Sequence, residues 1–218
     1  MNKNQIEKQS QLEILMKAAP VIPVVIVDDP KKAVPMAKAL VAGGLPAIEV
    51  TLRTARALEC LDAISTEVDG AIPGAGTVLD PAQIEAVEKA GAKFMVSPGV
   101  STKLLDAADD GPLPLLPGTA TASEMMELGE RGYHHVKFFP ASLAGGAPYL
   151  KALSSPLPRF RICPTGGISL ANAGDYLSLP NVLCVGGSWV APKNLVDDED
   201  WQGIETLARE AAALKRPA

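Results

Sequence analysis

The chain has 218 residues, of which 47% are hydrophobic, 21% charged and only 4% aromatic, and it contains 19 glycines and 19 prolines. This length and apolar fraction exclude a disordered chain and predict a fold that needs neither disulfides nor metal for its stability. The net charge is −5 at pH 7 and no Lys/Arg run is present, which argues against nucleic-acid and membrane-surface partners.

The compartment follows from the N-terminus and the cysteines. The first ten residues, MNKNQIEKQS, lack the apolar stretch of a signal peptide, and no apolar run reaches the roughly 18 residues that a membrane span needs. Cys60, Cys163 and Cys184 are odd in number and are expected to be reduced core residues. The sequence therefore predicts a cytoplasmic protein.

In chain order, the residues after Asn4 predict one helix of about fifteen residues, and eight short apolar runs follow it. The runs begin about 23 residues apart, a spacing typical of βα units. They cover residues 21–27, 47–52, 71–76, 94–99, 113–118, 135–140, 161–167 and 182–187. Each is predicted to be a strand.

Segments of helical period separate several of these strands. Pro30 and Pro81 suit a first helical turn, Asp80 is predicted to cap the second of these helices, and Thr121 or Ser123 is available to cap another. Further segments of this kind cover residues 168–179 and 198–214. The alternation of strands and helices indicates parallel βαβ units.

Eight such units in about 200 residues predict a (β/α)₈ TIM barrel with an extra N-terminal helix. We expect a single domain over residues 1–218, with residues 1–20 as the helical extension. The alternative is a doubly wound open sheet, which would need a Gly-rich dinucleotide turn after the first strand. The sequence there is VVIVDDP, which is no such turn.

Polar side chains alternate along the second strand. Glu49, Thr51 and Arg53 share one face, opposite the apolar Ile48 and Val50. The apolar face should pack on the helices, so the polar face should point to the barrel axis or its mouth, where charges are costly unless paired or functional. The structural alternative is a Glu49–Arg53 ion pair that closes the barrel.

The sixth strand carries an unusual lysine. His135, Lys137 and Phe139 share one of its faces, and lysine is rarely buried without a partner. Desolvation would favour the neutral amine, which attacks a ketone to form a Schiff base. The alternative is a lysine whose ammonium group reaches solvent at the edge of the strand.

The seventh and eighth strands each end in Gly-Gly, at Gly166 with Gly167 and at Gly186 with Gly187, and serines follow. Loops in these positions form the usual phosphate site of such barrels through backbone N–H groups. Metal chemistry is not predicted, because the two histidines are adjacent and point to opposite faces of a strand. No GxSxG elbow and no P-loop is present.

Several segments together resemble a known family, the bacterial 2-keto-3-deoxy-6-phosphogluconate aldolases, which include 4-hydroxy-2-oxoglutarate aldolase. The segments lie between about Pro20 and Trp189, and IEVTLRT, VKFFPA and CPTGGIS are the most specific. The others are PVIPVVIV, AVPMAKALVAGG, GAGTVLDP, SPG, PLLPG and CVGGSW.

The resemblance implies a class I aldolase without metal or cofactor, a homotrimer of (β/α)₈ barrels. Its substrate would be a phosphorylated keto acid, 2-dehydro-3-deoxy-6-phosphogluconate of the Entner–Doudoroff pathway, cleaved to pyruvate and glyceraldehyde 3-phosphate. Lys137 would form the Schiff base and Glu49 would act as acid and base. The substrate-binding groups would be Arg53 and Thr77 for the carboxylate, Pro98 and Phe139 as apolar walls, and Thr165, Gly166, Gly167, Gly186, Gly187 and Ser188 for the phosphate.

The sequence leaves two alternatives open. In one, 4-hydroxy-2-oxoglutarate is the main or second substrate, although the Gly-Gly loops favour a phosphate. In the other, the chain is a phosphosugar isomerase or a non-catalytic phosphosugar-binding barrel, neither of which needs a lysine inside the sixth strand.

Overall fold

The computed structural model describes residues 3–215, which contain nine strands and ten helices. The strands are β1 Val21–Val25, β2 Ala47–Thr51, β3 Ile72–Gly76, β4 Phe94–Val96, β5 Leu115–Leu116, β6 Gly118–Thr119, β7 His135–Phe138, β8 Arg161–Pro164 and β9 Val185–Gly187. The helices are α1 Lys3–Ala18, α2 Pro30–Ala42, α3 Ala57–Glu67, α4 Pro81–Lys89, α5 Thr102–Asp110, α6 Ala122–Glu130, α7 Gly146–Leu153, α8 Ala173–Leu177, α9 Lys193–Asp197 and α10 Trp201–Ala212. Of these helices, none is both long and apolar enough to span a bilayer.

The strands form a closed parallel barrel. One sheet has the order β5-β4-β3-β2-β1-β9 and the other the order β6-β7-β8. The chain joins the two sheets directly through Pro117, and isolated bridges from Ile162 to Val182 and from Thr165 to Gly186 join β8 to the β9 side. The predicted (β/α)₈ barrel with an extra N-terminal helix is confirmed, and the doubly wound sheet is excluded.

Most of the predicted strands are shorter in the structure, and three elements show the clearest differences. The fifth strand is split into β5 and β6, because Pro117 has no N–H to donate to a neighbouring strand. The segment 168–179 becomes helical only at Ala173, since Asn172 and the glycines before it form a hydrogen-bonded loop. The last strand begins at Val185 rather than at residue 182, where the chain forms only a bridge.

The helix starts follow the sequence signals. Asp80 accepts a hydrogen bond from the backbone N–H of Gln83, and Pro81 occupies the first turn of α4. Thr121, rather than Ser123, caps α6, where it forms a capping box with Glu124. These caps fix the points at which helices begin after the C-terminal ends of the strands.

The core has two layers. The larger one lies between the strands and the surrounding helices, and the smaller one fills the barrel interior at its N-terminal end. Leu12, Leu15 and Met16 of α1 pack there against Ile22 and Phe94. The N-terminal helix therefore closes the bottom of the barrel and leaves the opposite end open.

Candidate active site

A cavity of about 380 Å³ opens at the C-terminal ends of the strands. It brings together eleven of the twelve predicted site residues and leaves out Gly187. The eleven are Glu49, Arg53, Thr77, Pro98, Lys137, Phe139, Thr165, Gly166, Gly167, Gly186 and Ser188. They come from β2, β3, β4, β7, β8 and β9 or the loops that follow, so one cavity collects residues spread over most of the chain.

The centre of the cavity is a buried ion pair between Lys137 on β7 and Glu49 on β2. Lys137 Nζ donates to Glu49 Oε1 at 3.1 Å and lies 3.4 Å from Oε2. Lys137 is 6% exposed and Glu49 is 3% exposed. The Lys137 side chain thus lies within direct proton-transfer distance of a carboxylate, and both residues are buried.

Arg53 has a different environment from Lys137. It is exposed at the rim of the cavity, and within residues 3–215 its guanidinium forms no ion pair. The Glu49–Arg53 pair that was the structural alternative is therefore absent, because Glu49 pairs with Lys137 instead. The guanidinium is free to bind a carboxylate through two hydrogen bonds.

Apolar groups lie beside the amine. The ring centroid of Phe139 is 5.5 Å from Lys137 Nζ, and Phe139 is 36% exposed toward the mouth of the cavity. Pro98 lines the cavity after β4, and its backbone approaches Gly118 so closely that a Cβ there would overlap it. These groups limit the polarity around any adduct on the amine.

Thr77 has a strained backbone at the exit of β3. Its φ is +62°, a left-handed conformation that is rare for a β-branched residue. The backbone N–H of Val78 bonds to the carbonyl of Val96 at 3.1 Å and holds the turn in place. Such strain is often found at ligand sites, and here it directs Thr77 to the cavity.

The loop after β8 offers free backbone donors. Gly166 and Gly167 both have positive φ, +101° and +72°. Their carbonyls accept hydrogen bonds from Ser142 N–H and Asn172 Nδ2 at 3.0 Å, whereas within residues 3–215 their own N–H groups donate none. The loop is held in place through its carbonyls, and its unpaired N–H groups lie at the cavity. This arrangement fits an oxyanion or a phosphate.

The two glycines after β9 have different surroundings. Gly186 lines the cavity beside Thr165, and a Cβ on it would overlap the Thr165 side chain. A Cβ on Gly187 would overlap the Trp189 ring, so the packing of that ring accounts for this glycine. Ser188 is exposed and lies at the rim.

The cavity is also lined by Val24, Thr51 and Ile168, which were not among the predicted binding residues. Thr51 was predicted to face inward, and its hydroxyl donates to the carbonyl of Val25 at 2.9 Å. Val24 is aligned with Glu49 across β1 and β2, a register that the sequence does not reveal.

The histidines lie at the other end of the barrel. Gln9 of α1 accepts hydrogen bonds from the backbone N–H groups of both His134 and His135. Burial lowers the pKa of His135 to about 4 and also lowers that of His134. Across residues 3–215, no three His, Cys, Asp or Glu residues are grouped as metal ligands would be.

Sequence comparisons find similar proteins over most of the chain. The family described as "Aldolase: KDPG and KHG aldolase" matches residues 12–207. The chain is 50% identical over 208 residues to a 2-dehydro-3-deoxy-phosphogluconate aldolase of Pseudomonas aeruginosa, covering 95% of this chain and 94% of that protein.

Two solved structures are also similar. The KDPG aldolase of Legionella pneumophila, with pyruvate captured as a covalent carbinolamine intermediate, has a TM-score of 0.90 and 44% identity, over 92% of this chain and 98% of that one. The 2-keto-3-deoxy-6-phosphogluconate aldolase of Zymomonas mobilis, with 3-phosphoglycerate, has a TM-score of 0.92 and 45% identity, over 96% and 99%.

Proposed function

The chain belongs to the KDPG and KHG aldolase family, and we propose that its cavity is the active site of a class I aldolase. The substrate is 2-dehydro-3-deoxy-6-phosphogluconate (KDPG), cleaved to pyruvate and glyceraldehyde 3-phosphate. The observation that carries the assignment of residues is the buried contact between Lys137 Nζ and Glu49 Oε1. An isomerase or a non-catalytic barrel would have no use for this amine.

The first half of the reaction builds the imine. Glu49 accepts a proton from the Lys137 ammonium group 3.1 Å away, and the neutral amine attacks the C2 ketone of the substrate. The carbinolamine hydroxyl leaves as water with the proton that Glu49 returns. The product is a protonated imine on Lys137 and an ionised Glu49. The imine is the electron sink of the reaction, so the chemistry requires no cofactor.

The second half breaks the carbon–carbon bond. Glu49 removes the proton from the C4 hydroxyl, the C3–C4 bond breaks, and its electron pair enters the imine to give an enamine. Glyceraldehyde 3-phosphate leaves, and Glu49 returns its proton to C3 of the enamine. Addition of water to the resulting imine releases pyruvate and regenerates the Lys137 amine.

The remaining groups of the cavity would orient the substrate. Arg53 and Thr77 are proposed to bind the carboxylate, with Phe139 and Pro98 beside the imine. The unpaired N–H groups of Gly166 and Gly167 support a phosphate at the far end. They favour KDPG over 4-hydroxy-2-oxoglutarate, and a comparison of kcat/KM for the two substrates tests this preference.

The experiment that tests the assignment is reduction with borohydride in the presence of pyruvate, followed by peptide mass mapping. We expect the adduct on Lys137, and we expect Lys137→Ala to remove both adduct and cleavage. Lys93→Ala is the matched control, because Lys93 is an exposed lysine at the opposite end of the barrel and should leave both unchanged. An adduct on another lysine, or turnover by Lys137→Ala at the wild-type rate, would reject the mechanism.

We further propose, from the resemblance to the family, a cytoplasmic homotrimer. All three cysteines are buried and form no disulfide among residues 3–215, which suits a reducing compartment. Sedimentation equilibrium gives the assembly directly, and a monomeric mass would contradict the trimer.

A further inference from the structure

The Glu49 side chain packs against a glycine of the neighbouring strand. Gly76, the last residue of β3, is aligned with Thr51 of β2 and faces the barrel interior. A Cβ built on Gly76 would lie 2.6 Å from Glu49 Cγ and 2.7 Å from Cδ, and would overlap Oε1. Carbon atoms that are not bonded do not approach this closely, so any side chain at position 76 has to displace Glu49.

The space beside the other glycine of β3, Gly74, is already filled and cannot hold the Glu49 side chain. Gly74 is the residue of β3 aligned with Glu49 itself, and a Cβ there would overlap the ring of Phe94. Because Phe94 fills the space beside Gly74, the Glu49 side chain extends over Gly76 toward the mouth of the barrel. There its carboxylate meets Lys137.

We infer that Gly76 is a positioning residue for the reaction, because the absence of a side chain at this position lets the Glu49 carboxylate reach Lys137 Nζ. The inference uses the proposed function in one respect only, that the carboxylate transfers protons. Rotation of the carboxyl group would not remove the contact in a Gly76→Ala variant, because Cγ is also too close. The whole Glu49 side chain would have to change rotamer in a buried site.

The test is the Gly76→Ala variant in two backgrounds, wild type and Glu49→Ala. In the wild-type background we expect kcat for KDPG cleavage to fall about 100-fold or more, the scale of a lost general acid–base group, with KM within about threefold of wild type. Lys137 remains in place, so prolonged incubation with pyruvate and borohydride should still label it. The Tm should also fall, because the methyl group overlaps Glu49.

In the Glu49→Ala background the overlap is gone. There Gly76→Ala should change neither the Tm nor the residual rate, which is the sign that the two residues act as a coupled pair. Gly74→Ala serves as the comparison on the same strand, since it presses on Phe94 and should lower the Tm equally in both backgrounds.

Two results would overturn the inference. One is a kcat for Gly76→Ala within about threefold of wild type, and the other is an equal loss of Tm and rate in the two backgrounds. Failure of the wild-type protein to cleave KDPG would instead contradict the proposed function. The Tm cycle and the labelling by pyruvate do not depend on that substrate and would still report on Gly76.

Discussion

The two cations of the cavity, Lys137 and Arg53, differ in burial and in partners. Lys137 is buried and paired with Glu49, whereas Arg53 is exposed and makes no ion pair within residues 3–215. A buried amine beside a carboxylate suits covalent chemistry, and a guanidinium at the rim suits recognition of an anion. This difference fits the proposed division of roles, with bond making at Lys137 and substrate binding at Arg53.

Arg53→Gln tests the recognition role. If the guanidinium binds the substrate carboxylate, its loss removes a charge-assisted contact of about 1.5–3 kcal/mol, so KM should rise by about 10- to 100-fold. The matched control is Arg56→Gln, an exposed arginine three residues later that pairs with Glu59 on the surface. Steady-state kinetics on KDPG should show no change for Arg56→Gln. An unchanged KM for Arg53→Gln would exclude the role.

At the scale of elements, α1 is attached to the barrel by polar contacts as well as apolar ones. Lys8 Nζ donates to the carbonyls of Ala108 at 2.7 Å and Asp109 at 3.0 Å, at the end of α5. Gln9 Oε1 lies 3.0 Å from His135 Nδ1, and since this oxygen can only accept, Nδ1 carries the proton. Nε2 of His135 is buried and has no partner among residues 3–215, and burial of the ring favours its neutral form.

The burial of His135 predicts a loss of stability in acid. The unfolded state has a His135 pKa near 6.5, while burial lowers the folded-state pKa to about 4. The unfolded state therefore binds more protons between these values, and stability is full above pH 6.5 and falls as the pH drops toward 4. Between pH 7.5 and pH 5 the loss from this residue is about 2 kcal/mol.

His135→Asn checks the source of that loss, since the amide keeps a donor for Gln9 and does not titrate. We expect the difference in unfolding free energy between pH 7.5 and pH 5, measured by urea titration, to be about 2 kcal/mol smaller in this variant. His134→Asn is the control, because His134 is less buried and should alter the pH dependence less. Equal pH dependence in His135→Asn and wild type would refute the prediction.

Local patterns within single strands could be predicted from the sequence, whereas contacts between distant strands could not. The period of two in β2 and β7 was enough to direct Glu49 and Lys137 inward, because adjacent residues of a strand face opposite sides. Their pairing was not predicted, since they are 88 positions apart and only the closure of the barrel brings them together. Gly187 belongs to the same Gly-Gly motif as Gly186 and was predicted to bind phosphate. Its lack of a side chain is instead explained by the Trp189 ring, which packs against it.

In the barrel as a whole, the junction between β8 and β9 is a weak seam. Strand pairs are continuous from β5 through β1 to β9, whereas β8 joins the β9 side only through isolated bridges, one of them from Thr165 to Gly186. The free donors of Gly166 and Gly167 lie at the same place. A phosphate bound there would connect the two sides of the seam.

Hydrogen exchange measures whether a bound phosphate connects the two sides of this seam. Local openings limit exchange, and a ligand at 100 times its Kd stabilises the closed form by about 2.7 kcal/mol, which slows exchange about 100-fold. With 3-phosphoglycerate as the probe, we expect the greatest slowing in peptides covering 161–169 and 182–188, and little in 21–25 and 72–76, where β1 and β3 are paired on both sides. Pyruvate lacks a phosphate and should not reproduce the effect at the seam. Slowing by 3-phosphoglycerate that is uniform around the barrel, or greatest in β1 and β3, would mean that the phosphate is bound elsewhere.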